Sequence, residues 1–217
     1  MKRFERLAPL TGVLAVVLWV VGIVVMDSDL PADTATGTEI AAWFDQKSGT
    51  ILLAMSLFGV GSAAFVWFLG TVAARLRSAG GDARLPGIMF VAGSAAIVLV
   101  TMAPGSYTAG ALGSENLKRA LEPGAAEALF VLGQGFFVAG ELVAVAYMGA
   151  AGLSILRSGL LPAWLGWASL ALAAMLVVNP IGWAALYLGV PLWTLVAGVW
   201  LYVRVPAETP EHAISPA

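Results

Sequence analysis

Residues 125–156 read AAEALFVLGQGFFVAGELVAVAYMGAAGLSIL, with two glutamates, one glutamine and no basic residue. A helix that rises ~1.5 Å per residue needs about 20 mostly apolar residues to cross a ~30 Å hydrocarbon layer. This stretch is longer than that, so it reads as a transmembrane helix. It also holds Glu141, the only acid deep in any apolar run. Working outward, five further segments qualify: about 9–26, free of charge; about 50–74, closed by Arg75 and Arg77; about 87–103, where Pro104-Gly105 marks an end or a kink; about 162–179, opened by Pro162; and about 186–203. Asn179-Pro180-Ile181-Gly182 reads as the turn of a last hairpin on the outer side, although Trp183 to Leu188 is apolar enough to extend either helix.

The composition agrees. Of 217 residues 60% are apolar and 11% charged, and the mean hydropathy is +0.90, against roughly 45–50% and 25% in soluble domains. Eleven basic against thirteen acidic residues leave a net charge of −2, with no surplus to neutralise a phosphate backbone, so nucleic acid is not an expected partner. The absence of cysteine excludes disulfides, thiolate metal sites and dithiol relays. His212, the single histidine, lies in a polar tail, which leaves no helix-borne zinc motif. Lys2, Lys47 and Lys118 all fall outside the apolar runs, so no amine is available for an intramembrane Schiff base. No cofactor is expected.

Charge placement sets an expected orientation. With the N-terminus inside, eight basic residues (Lys2, Arg3, Arg6, Arg75, Arg77, Arg84, Arg157, Arg204) lie inside and three (Lys47, Lys118, Arg119) outside, as the positive-inside rule requires. Residues 1–8 and 204–217 are then cytoplasmic, the latter as a disordered tail, and 9–203 form the membrane domain. The basic start resembles that of a signal peptide, but the apolar run is too long and no small-residue cleavage site follows Met26, so the first segment is read as a retained anchor.

Two outer loops share a pattern. Gly37-Thr38-Glu39 and Gly113-Ser114-Glu115 both offer a hydroxyl and an acid at a helix start, so each loop is expected to hold a short interfacial helix. In the first, Ile40, Trp43 and Phe44 form an i, i+3, i+4 stripe suited to the headgroup boundary. The span after each loop ends alike, in Leu76-Arg77-Ser78 and Leu156-Arg157-Ser158, which suggests a unit used twice, although biased Ala/Gly/Val/Leu usage produces such likeness without common origin.

Glu39-Ile-Ala-Ala-Trp-Phe-Asp-Gln-Lys47, Trp67-Phe-Leu-Gly70 and Leu161-Pro-Ala-Trp-Leu-Gly-Trp167 together resemble uncharacterised small six-span integral membrane proteins of high-GC bacteria. That resemblance implies six spans and a plasma-membrane location; the type has no established activity, and no functional residues come with it.

Glu127, Gln134 and Glu141 are spaced by seven. They therefore share nearly one helix face, drifting ~20° and descending ~10.5 Å per step. An acid at the centre of a span costs about 2.5–3.5 kcal/mol on insertion scales and marks a bundle interior or wet cavity. One reading is a proton or cation path, with Glu127 at the mouth and Glu141 as the internal site. The other is a packing role, with a neutral Glu141 bonded to a neighbour such as Asn179, Ser94, Thr101 or the surroundings of Tyr147. Ten of the twenty residues from Gly133 to Gly152 are Gly or Ala, including the pairs Gly135/Ala139 and Ala146/Ala150, which suits close helix approach. Trp164, Trp167 and Trp200 at one side, with Trp43 and Trp183 at the other, fit interfacial belts.

Catalysis finds no constellation. No histidine stands beside a candidate serine and no second buried acid accompanies Glu141, while Asp27, Asp29 and Asp33 lack the spacing of a calcium loop. The expectation is an all-α integral membrane bundle of six transmembrane helices with two short outer interfacial helices. It is non-enzymatic and structural or accessory, with the lipid bilayer and other membrane proteins or a second copy as partners. The alternative is a small proton- or cation-coupled transporter using Glu141.

Overall fold

A computed structural model describes residues 6–27, 30–32, 34–80, 84–178 and 181–204. Lys2, Arg3, Asp29, Asp33, the Asn179-Pro180 pair, His212 and the tail beyond Arg204 lie outside the described residues. Seven helices run through the rest: α1 (Leu10–Asp27), α2 (Gly37–Gln46), α3 (Ser48–Ser78), α4 (Arg84–Leu117), α5 (Pro123–Ser158), α6 (Ala163–Val177) and α7 (Gly182–Arg204). No strand occurs among the described residues.

Local chemistry explains the helix ends. Thr36, not Thr38, caps α2: its hydroxyl accepts from the Glu39 N–H while the Glu39 carboxylate accepts from the Thr36 N–H at 2.7 Å, a reciprocal capping box. Pro123 stands in the first turn of α5, where its missing N–H costs nothing, and Gly159 ends the same helix at φ 64°, a left-handed conformation that suits glycine. Pro162 then caps α6.

Four helices, α3, α4, α5 and α7, are long and apolar enough to cross a membrane; α1 and α6 are apolar but shorter. Neighbours pack in a closed cycle, α1–α3–α4–α5–α6–α7–α1. Inside it the rings of Trp19, Phe65, Tyr147 and Trp193 join α1, α3, α5 and α7, with centroid separations of 5.0, 6.0 and 5.9 Å along that chain. Outside it large apolar side chains face away from the protein on every helix of the cycle, among them Val24, Trp67, Val91, Leu142, Trp167 and Leu188. A contiguous apolar belt of this kind needs an apolar solvent, and the helices fit a membrane location.

The structure departs from the sequence reading at three places. Helix α4 does not end at Pro104 but runs on to Leu117, so the second expected outer helix is not a separate element. Around the proline, hydroxyls bond carbonyls three or four residues back, Thr101 to Ile97, Ser106 to Ala103 and Thr108 to Pro104; polar side chains of this kind and a packed neighbour let a helix tolerate proline in an apolar environment. The stripe on α2 faces protein rather than headgroups: Ile40, Trp43 and Phe44 are buried against Ile51, Tyr107, Ala111, Ala126 and Phe130. Trp43 is therefore a core residue and not part of an interfacial belt. Finally, Gly135 meets no neighbour and Ala146 is exposed; the close approaches are at Gly133 and Gly140 against α4 and at Gly152 against Gly166 of α6.

Candidate functional site: Glu141 and the cavity above it

Helix α5 carries the expected polar stripe, but its three members have different surroundings. Glu127 and Gln134 are exposed, whereas Glu141 is 9% exposed. The carboxyl of Glu141 packs on the backbone of Gly182, the first residue of α7, so closely that a Cβ at position 182 would overlap Oε1. Gly182 in turn lies under the end of α6, with the Leu176 carbonyl 3.1 Å from the same Cβ position. Glu141 thus sits where the α6–α7 hairpin turns back and meets α5.

None of the described candidates bonds it. Thr101 donates to the Ile97 carbonyl and shares a 2.7 Å hydrogen bond with Ser62. Ser94 Oγ is buried without a hydrogen-bond partner, and the Tyr147 hydroxyl lies against Thr194. Asn179 lies outside the described residues.

Above this level, toward the end that carries α2, the cycle encloses a partly open cavity of about 670 Å³. Its walls come from the α2-side halves of α1, α3, α4, α5 and α7, with Trp19, Phe58, Phe137, Trp183 and Tyr187 as the main aromatic faces. Gln134 lines it; Glu127 and Glu141 do not. The stripe therefore breaks into a surface acid, a cavity amide and a buried acid, with no wall shared by all three. No group of three or more metal-ligating side chains occurs among the described residues.

The chain matches no family model, no curated protein and no solved structure.

The residues that matter most to this geometry carry no obvious signal in the sequence. Gly182 carries no functional group, yet it makes the space for the Glu141 carboxyl. Pro104 and Pro191 stand on facing walls of the cavity, each inside a helix. Beside Pro191 the backbone of α7 widens into a single π-helical turn, Ala185–Gly189, in which the Val190 N–H reaches back five residues to the Ala185 carbonyl. A proline ring clashes with the carbonyl four residues earlier, here that of Tyr187, and a π turn is one way to relieve it. Only the helical proline itself was there to be read.

Proposed function

We propose that this is a non-enzymatic multi-pass membrane protein with a structural or accessory role, its six apolar helices crossing a bacterial plasma membrane with both termini cytoplasmic and the α2 end outside. The observation that supports this reading is the seat of Glu141. A carboxyl packed on Gly182 and absent from the cavity wall pins a hairpin to α5. An intramembrane acid can serve packing just as it serves transport, provided its surroundings hold it.

The test compares the wild-type chain with Glu141→Gln in sealed vesicles under an imposed proton gradient, alongside thermal unfolding in detergent. Glutamine keeps the shape and removes the titration. Equal proton flux in both, with a shifted unfolding midpoint, is the expected result. A gradient-driven flux that glutamine abolishes would replace this reading with the coupled transporter, for which Gln134 on the cavity wall would be the approach to Glu141.

A further inference from the structure

The cavity has a chemistry of its own. Among the described residues that line it none is Asp, Glu, Lys, Arg or His, so these walls offer no counter-ion to a charged group. Its volume of about 670 Å³ lies within the range of roughly 300–1,000 Å³ typical of small-molecule sites, which are mostly apolar with a few placed polar groups. Here the Trp19 indole N–H, buried without a hydrogen-bond partner, is a donor, and the backbone supplies acceptors. Pro104 has no N–H for the carbonyl of Val100, four residues back, and both residues line the cavity. On the opposite wall the Val190 N–H is given to Ala185, and Pro191 has none to give to the carbonyl of Leu186; Leu186, Val190 and Pro191 all line the cavity. Two walls thus each present a backbone carbonyl deprived of its helical donor. In hydrocarbon no bulk water stands ready to fill that role. π turns also recur at functional sites.

We propose that this cavity binds an uncharged membrane lipid that carries a hydroxyl group, its chain against the aromatic faces of Trp19, Phe58, Phe137 and Trp183 and its O–H donated to the carbonyls that Pro104 and Pro191 leave open. A phosphate-bearing lipid would bring a charge that the walls do not balance, and a plain hydrocarbon would leave the carbonyls unmet.

The full chain in phosphatidylcholine vesicles is irradiated with a diazirine-bearing hexadecanol, and in parallel with the matching hexadecane and hexadecyl phosphate, and the labelled peptides are mapped by mass spectrometry. The alcohol should label residues 97–107 and 183–191 at least about fivefold more than either comparison probe, the worth of one hydrogen bond, and unlabelled hexadecanol should compete. Ala103→Phe, which fills the cavity, should remove that labelling. Pro104→Ala and Pro191→Ala restore the N–H donors and should erase the preference for alcohol over alkane while alkane labelling of the walls persists; they decide the matter if the phenylalanine variant does not fold. Equal labelling by all three probes, or a preference for the phosphate, would overturn the ligand class. Labelling confined to outward-facing positions such as Val91 and Val203 would overturn the site.

Discussion

Gly182 and Glu141 are coupled by contact, and the coupling has a measurable sign. A methyl group at 182 needs the volume that Oε1 occupies, and forcing extra atoms into a packed site costs about 1–3 kcal/mol. Gly182→Ala should therefore destabilise the wild-type chain by about that much, and far less once Glu141→Ala has emptied the site. Thermal unfolding of the two single variants, the double variant and the parent closes the cycle; additive effects would mean that the two residues do not share the space. Glu39 supplies a second test, at the surface. The Thr36 backbone N–H, and then its hydroxyl, stabilise the Glu39 carboxylate and hold its pKa below the ordinary carboxyl value. A folded pKa that is depressed contributes stability above the unfolded value, and that contribution is lost as pH falls through the folded one. Amide-exchange protection at the start of α2 should accordingly drop on acidification below the usual carboxylate range. Glu39→Gln, which can still complete a capping box, should keep the cap and lose this pH dependence.

At the scale of the element, α7 is held at both ends by groups from other helices. Glu141 meets its first residue, and near its last turn Arg75 of α3 donates to the Leu201 carbonyl at 3.0 Å. A helix leaves its final carbonyls without intrahelical donors, and a guanidinium there satisfies one of them and complements the dipole. Arg75→Met keeps the stem and removes the donor; it should cost about 1–2 kcal/mol in detergent, and unchanged stability would show the contact to be idle. The helices were largely legible in the sequence because a run of apolar residues long enough to cross hydrocarbon has few other uses; at the start of α2 Glu39 was legible, whereas the capping hydroxyl is that of Thr36 and not of Thr38. What covers an element was less so. Ile40, Trp43 and Phe44 have the spacing of an interfacial stripe, but spacing does not say whether lipid or protein lies against it, and here it is protein. Pro104 reads as a break because the proline ring clashes with the carbonyl four residues back and takes away its donor; packed on α5 and with hydroxyls bonded to neighbouring carbonyls, α4 passes through it. Glu141 was visible as a buried acid, whereas its partner is a glycine and its nearby cavity is assembled from five helices far apart in sequence, so neither leaves a local pattern.

For the whole molecule the open quantity is how far the α6–α7 hairpin reaches. Gly182 meets Glu141, which lies 18 residues from the start of α5 at Pro123, or roughly 27 Å at 1.5 Å per residue. The tip of the hairpin is thus well below the α2 end of the bundle, and α6, with 15 residues, spans only about 22 Å as a helix. A short span is accommodated by local thinning of the bilayer and by apolar flanks at modest cost, and Leu160, Leu161 and Val178 extend α6 on either side. Six crossings therefore require water to reach the tip from the α2 side. A chain without cysteine gives a clean background for testing this. Ile181→Cys, at an exposed position, should react with a membrane-impermeant maleimide added outside intact cells. It should react more slowly than Lys118→Cys, which sits just past the end of α4, because the taller helices α4 and α5 shield it. Labelling of Ile181→Cys only after detergent, with Lys118→Cys labelled throughout, would make the hairpin a re-entrant pair and reduce the crossings to four.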